Sequence, residues 1–267
     1  MRLKITHETR YKYSEPVKYL LQQVRLTPKT DQNQTVADWE VTVEGGVREV
    51  EFSDQFNNHV ILCSIDPHSS EIAITSRGEI DVEDKSGIIR ERGGYAPLWL
   101  FRRPTSLTKP GKGIRQLTKG LEIVAGEEVK LLHELSARIH EQVQYEAGHT
   151  SAVTTAEEAI SLEKGVCQDH AHIFLASVRH MGFPARYVSG YLMMNDRVEQ
   201  DASHAWAEAH VPGLGWVGFD VSNGISPDDR YVRLATGLDY RNAAPVSGMR
   251  IGASTESMDV SLQVQQQ

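Results

Sequence analysis

The stretch GVCQDHAH, residues 165–172, sets Cys167 two positions after Gly165, with His170 and His172 close behind. A cysteine in this setting can be a nucleophile, a metal ligand, or a small apolar residue at the start of a helix. A second stretch, SHAWAEAHVPGLGWVGFD (203–220), carries His204, His210 and Asp220. A thiol nucleophile needs a base, and the base needs an acceptor that orients it. His204 and Asp220 are of the right types for those two tasks. The other cysteine, Cys63, lies in the apolar, β-rich run HVILCSI, where a small buried hydrophobe is the simplest role.

Residues 165–183 read as a helix stopped by Gly182 and Pro184. At about 100° per residue, Cys167 heads a stripe that continues through Ala171, Phe174, Val178 and Met181. A place on that stripe suits an apolar residue. A place in the first turn suits a thiolate equally well, because exposed amides and the helix dipole favour negative charge there. Position alone does not separate the two. On the same wheel the His170 and His172 side chains diverge by roughly 160°, and His204 and Glu208 lie ~13 Å apart along a strand. Neither zinc-finger spacing nor HExxH occurs, so no metal site is expected. Asp169, also in the first turn, complements the dipole but would oppose a thiolate, which gives it a structural role.

His204 opens one strand and Asp220 closes the next, across a turn centred on Pro212. A register with Ala209 opposite Gly215 would set His204 directly opposite Asp220 on one face. A shift by one residue would put the two side chains on opposite faces. A triad therefore requires the first parity.

Three regions must position these groups. Residues 1–84 read as a β-domain: WEVTVEG, REVEFSD, HVILCSI and SEIAITSRGEIDVE alternate apolar and polar residues, which suggests a small antiparallel sandwich. His7 and His59 are isolated there and are expected to be surface or strand histidines. Residues 85–125 carry Gly93, Gly94, Pro97, Pro104 and Pro110 together with Tyr95, Trp99 and Phe101, and read as a connecting segment packed on the core. Residues 126–267 read as the domain that carries the chemistry, with a C-terminal tail. Its first helix starts near Glu127 and puts Leu131, Leu132, Leu135, Ile139 and Val143 on one stripe, leaving His133 and His140 in solvent. Thr155 and Glu158 have capping-box spacing. After Asp220 the chain is polar and weakly patterned, and SLQVQQQ is expected to close as a short strand or fray.

Composition narrows the partners. With 28 basic and 36 acidic residues the net charge is −8, and the basic residues are scattered, which argues against nucleic acid. No run approaches the ~20 apolar residues of a membrane span, and the N-terminus lacks the apolar core of a signal peptide. Two cysteines do not make a disulfide framework, so a cytoplasmic location is expected.

Taken together, GVCQDHAHIFLASVRHMGFPARYVSGYL followed by SHAWAEAHVPGLGWVGFD resembles the core of the bacterial transglutaminase-like superfamily of cysteine enzymes. Upstream, ITHETRYKYSEPVKYLLQQVRLTP and DQFNNHVILCSI are similar to the N-terminal β-domain that accompanies this core in bacteria, and VQYEAGHTSAVTTAEEAI is similar to the segment before the nucleophile helix. The resemblance implies an α+β fold: an N-terminal antiparallel β-sandwich, then a papain-like, transglutaminase-like core with the nucleophile helix on an antiparallel sheet. Residue by residue, it implies Cys167 as nucleophile, His204 as base and Asp220 as orienting carboxylate. The Cys167 N–H would be one oxyanion donor, Tyr145 is the candidate for a second, and Trp206 would form a wall of the site. Two positions depart from the family pattern. Val221-Ser222 stands where Pro-Thr usually follows the aspartate, and Asn57 stands where a glycine is common, a place asparagine can fill because it tolerates the left-handed conformation. The implied chemistry is acyl transfer through a thioester. Water as acceptor gives a peptidase or amidase, the first expectation; an amine gives a transglutaminase, the second. A non-catalytic binding module of the same fold is the alternative of a different class. A peptide or protein substrate is implied, and no cofactor.

Overall fold

The computed structural model describes residues 1–66, 69–89, 96–251 and 255–267. Alternation builds the N-terminal strands β1 (Arg2–Tyr13), β2 (Tyr19–Val24), β3 (Gln34–Glu44), β4 (Gly46–Ser53), β5 (His59–Ile65) and β6 (Glu71–Val82). Along β1 every second side chain is buried, the period of a strand with one face on a core. The segment expected only to connect also contributes β7 (Ile88–Ile89) and α1 (Lys112–Leu117), and it buries Phe101, Leu107, Ile114 and Leu117. Trp99 is exposed, while Tyr95, Gly93 and Gly94 lie outside the described residues.

Next in order are α2 (Glu128–Gln142), β8 (Gln144–Tyr145), α3 (Ala156–Leu162), β9 (Lys164–Gly165), α4 (Cys167–His180) and β10 (Ala185–Leu192). The remainder comprises β11 (Glu199–Gln200), β12 (His204–Val211), β13 (Gly215–Phe219), β14 (Tyr231–Gly237), α5 (Tyr240–Ala243), β15 (Val246–Ile251) and β16 (Glu256–Gln266). Three antiparallel sheets result, ordered β11-β16-β1-β6-β3, β15-β2-β5-β4 and β14-β10-β12-β13-β7. The first two share a core that includes Leu3, Ile5, Val24, Ile61, Cys63, Ile74 and Ile80. His7, on β1, faces inward and is 2% exposed, bonded to the Tyr191 and Thr9 hydroxyls.

The third sheet and the helices hold the second core. α4 is buried on every side from Asp169 to Arg179, not along one stripe, as befits a helix inside a domain. Ala205, Ala207 and Ala209 of β12 lie against it from below, and Leu132, Leu135, Ile139 and Ile160 of α2 and α3 cover it. The small strand residues let helix and sheet approach closely. The capping box forms as the spacing requires, with Thr155 accepting from the Glu158 N–H and Glu158 accepting from the Thr155 N–H.

The end of the chain departs from expectation. The division at 126–267 groups the tail with the second core, yet β16 pairs with β1 along its full length and β15 pairs with β2. Leu262 and Val264 are buried against the N-terminal core. β14 had no clear pattern because it is buried on both faces for much of its length, which removes alternation. No helix among the described residues is long and apolar enough to cross a membrane.

Candidate active site

Parallel pairing of β8 with β9 sets Tyr145 opposite Gly165, beside the start of α4. A Cβ at Gly165 would lie 2.7 Å from the Asp169 Cβ, so this position has no room for a side chain. The Asp169 carboxylate turns back to accept from the Val166 N–H at 2.8 Å and the Thr150 hydroxyl at 2.6 Å. It is buried, and burial raises its pKa against those bonds. Asp169 thus caps the helix that presents the half-buried Cys167.

His204, which opens β12, and Asp220, which follows β13, meet at one end of the third sheet, within reach of the start of α4. His204 Nε2 lies 2.7 Å from Asp220 Oδ2, with the two residues 8% and 0% exposed. Cys167 is the other group that acts on the ring. With Nε2 engaged by the carboxylate, Nδ1 is the nitrogen left for the thiol. Burial alone would lower the imidazole pKa; the hydrogen bonds to Asp220 and Cys167 and the charges of both outweigh it and raise the value to about 10. Burial likewise works against the Asp220 carboxylate, but His204, Asn223 and Tyr231 hold its pKa below the ordinary value. Asp220 Oδ2 accepts from Asn223 Nδ2 at 2.6 Å and from the Tyr231 hydroxyl at 2.7 Å. Neither donor was evident in the sequence. Asn223 follows Asp220 by three residues, a spacing that could have suggested a local side-chain turn; Tyr231 comes from a strand with no readable pattern.

The hairpin keeps the required parity but not the expected register. Ala209 lies opposite Val217 and Val211 opposite Gly215, joined by Pro212, Gly213 and Leu214. The turn is tighter than expected because Gly213 and Gly215 take φ of +80° and +91°, which glycine adopts without strain. A two-residue slip preserves the face, so Asp220 reaches His204 diagonally rather than directly.

The surroundings complete the site. Trp206 is 3% exposed, and its ring lies 6.3 Å from the His204 ring at 27° between planes. Tyr145 is exposed along much of its ring, but shielding of its hydroxyl, then the charges of Cys167, Asp220 and Asp169, push its pKa to about 12. It therefore stays protonated and able to donate. His170 donates from Nε2 to the Val143 carbonyl at 2.9 Å, which leaves Nδ1 to accept from the Ser222 hydroxyl at 2.8 Å. His140 is exposed as expected, and its ring also donates to the Val221 carbonyl at 2.9 Å. Val221-Ser222 is thus tied to α2 and α4. Asn57, the other departure, has φ of 64° as anticipated. His172 accepts from the Tyr240 N–H at 3.2 Å on the opposite side of α4 from His170, so the two imidazoles point apart.

The chain is similar to known proteins in sequence and in fold. A family model described as the transglutaminase-like superfamily matches residues 115–221, and one described as the bacterial transglutaminase-like N-terminal region matches residues 3–81. An uncharacterized protein of Mycobacterium tuberculosis is 30% identical across 98% of this chain and 92% of its own length. One of Mycobacterium leprae is 27% identical across 98% of both chains. Among solved structures, a candidate cysteine protease of Cytophaga hutchinsonii superposes with a TM-score of 0.78 over 100% of this chain and 91% of its own, at 23% identity, and so shares the fold.

Proposed function

Because the chain belongs to the transglutaminase-like superfamily, with the bacterial N-terminal region ahead of the core, we propose that it is a thiol-dependent acyl-transfer enzyme acting on a peptide or isopeptide amide. One observation carries the reading: a buried imidazole stands between a thiol and a carboxylate and holds its proton more tightly than a free histidine. Cys167 is the nucleophile, His204 the base and Asp220 the carboxylate that fixes the ring and stabilises its charged form.

In the first half-reaction His204 already holds the proton shared with Cys167, and the sulfur attacks the amide carbonyl carbon. The carbonyl oxygen gains negative charge as the C–S bond forms. The Cys167 N–H, a first-turn amide that the helix leaves without an intrahelical acceptor, donates to that oxygen, and the Tyr145 hydroxyl is the candidate second donor. The intermediate collapses by breaking the C–N bond, and His204 returns its proton to the departing amine. Water then attacks the thioester, giving one proton to His204. Cleavage of the C–S bond releases the acid, and the sulfur recovers the proton. Hydrolysis is the reading adopted; an amine in place of water would give transamidation by the same steps.

The test is incubation with glutamine-containing peptides and with peptide amides, with and without a primary amine, followed by mass spectrometry. We expect an acyl adduct on Cys167, absent in Cys167→Ala, and a carboxylic acid product whether or not amine is added. An amide product would identify an amine acceptor. No adduct and no turnover from the folded chain would favour a binding module.

A further inference from the structure

We propose that the cleft between the N-terminal sheets and the third sheet binds a carboxylate carried on an apolar or aromatic group, held by Arg186 and separate from the Cys167 centre. The cleft encloses a cavity of about 710 Å³, a volume within the range of sites that take small organic ligands. The segments 29–34, 55–58 and 96–101 line it, together with Arg186 of β10, Trp216 of β13 and residues 233–236 of β14. Cys167, His204 and Asp220 do not. Arg186 pairs with Glu208 across β10 and β12. Glu208 lies four residues along β12 from His204, ~13 Å at strand rise.

What marks the cleft is a fixed guanidinium whose far end is unused. Arg186 Nε donates to Glu208 Oε2 at 2.6 Å, and the guanidinium carbon lies 4.2 Å from the centre of the Trp216 ring. The side chain is 16% exposed, and Nη1 and Nη2 have no hydrogen-bond partner among the described residues. Arg233, which shares Glu208, shows the contrast. Its Nη1 donates to Asp31 Oδ2 at 2.8 Å and its Nη2 to Glu208 Oε1 at 2.5 Å. A guanidinium kept only for structure engages its fork, as Arg233 does. Arg186 engages a single N–H of the several it carries, although it is already anchored and largely shielded from water.

The rest of the lining names the ligand. Asn57 Oδ1 accepts from Lys29 Nζ at 2.9 Å, which leaves Asn57 Nδ2 as a further donor from the N-terminal side. Beside Arg186, the Trp216, Phe101 and Phe56 rings form a continuous aromatic surface, with centres 5.1 and 6.0 Å apart in that order. Charge selects the anion. Among the described residues at the cleft, Lys29, Arg186 and Arg233 stand against Asp31 and Glu208, and three positive charges against two negative leave one. One surplus positive charge suits a singly charged carboxylate better than a phosphate dianion. The free edge of a guanidinium matches a carboxylate with two parallel N–H···O bonds, and the aromatic surface takes the apolar part of the molecule.

The test adds N-acetylphenylalanine to the full-length chain, with its uncharged amide as control. Binding is read by calorimetry and by the NMR signals of the Trp216 indole N–H and the Arg186 Nε–H, none of which requires turnover at Cys167. We expect the acid to bind at least about tenfold more tightly than the amide, as charge-assisted hydrogen bonds allow, and to move both signals. Arg186→Lys keeps a counter-charge for Glu208 but loses the fork, and should weaken the acid about tenfold while leaving the amide unchanged. Lys29→Ala, on the N-terminal side and away from the Glu208 pair, should weaken the acid by less. No binding of the acid, equal binding of acid and amide, or acid binding unchanged in both variants would overturn the proposal. Shifts confined to Trp206 and His204 would place the acid in the catalytic centre and overturn it as well. Inorganic phosphate displacing the acid at lower concentration would contradict the choice of a carboxylate.

Discussion

Two carboxylates, Asp220 and Glu208, sit on one face of the same sheet, both inaccessible and both held below the ordinary carboxylate pKa. Burial works against each charge, and cationic or donor partners overcome it in each. Their partners differ in kind. Asp220 faces an imidazole, a group that can gain and lose a proton, whereas Glu208 faces two guanidiniums, which stay charged. One cluster can move protons; the other can only hold a shape. His7 adds a third case. It is buried with hydroxyl partners alone, and burial drives its pKa down to about 4, opposite to His204. The carboxylate neighbour, not burial, makes a histidine of this chain basic.

The sharpest way to break the contrast is Asp220→Asn, which keeps a hydrogen-bond partner but removes the charge. We expect kcat/KM to fall by about 10³- to 10⁴-fold; a loss under about tenfold would class Asp220 with the shape-holding group. Glu208→Ala leaves the buried Arg186 guanidinium without a counter-charge and Arg233 with Asp31 alone, and should cost about 3–5 kcal/mol in urea unfolding. A loss below about 1 kcal/mol would mean that water reaches the arginines. For His7 the folded pKa lies below the unfolded value of about 6.5, so the unfolded chain takes up the proton first as pH falls. The stability tied to neutral His7 is fully present above pH 6.5 and is lost as pH falls toward 4, to a limit of roughly 3 kcal/mol. Urea unfolding at pH 7 and 4.5 should show a smaller decline in His7→Asn than in wild type; equal declines would deny the neutral, buried histidine. The smallest effect expected is that of Tyr231→Phe, which removes one donor from Asp220 and should lower kcat/KM by roughly five- to tenfold. An unchanged value would leave Asn223 as the carboxylate's sufficient support.

Much of this could be read from residue types and spacing. The stripe on α2, the Thr155–Glu158 box and the first-turn place of Cys167 are local patterns, and local patterns survive folding. The parity that puts His204 and Asp220 on one face was legible as a requirement, because side chains alternate strictly along a strand. The register was not: it depends on how Gly213 and Gly215 close the turn. The Glu208 cluster was invisible because it collects positions 31, 186, 208 and 233, which no periodicity links. The clasp of β16 on β1 was hidden for the same reason, as its partner lies at the other end of the chain.

The central claim is that Cys167 and His204 form one chemical unit, and the rate of iodoacetamide alkylation against pH tests it most directly. Cys63 is fully buried, so the rate reports Cys167. An isolated thiol gains reactivity only near pH ~8.5. The account predicts that wild-type reactivity persists at pH 6 and that His204→Ala confines it to alkaline pH. A wild-type profile like that of an isolated thiol, unchanged by His204→Ala, would contradict it.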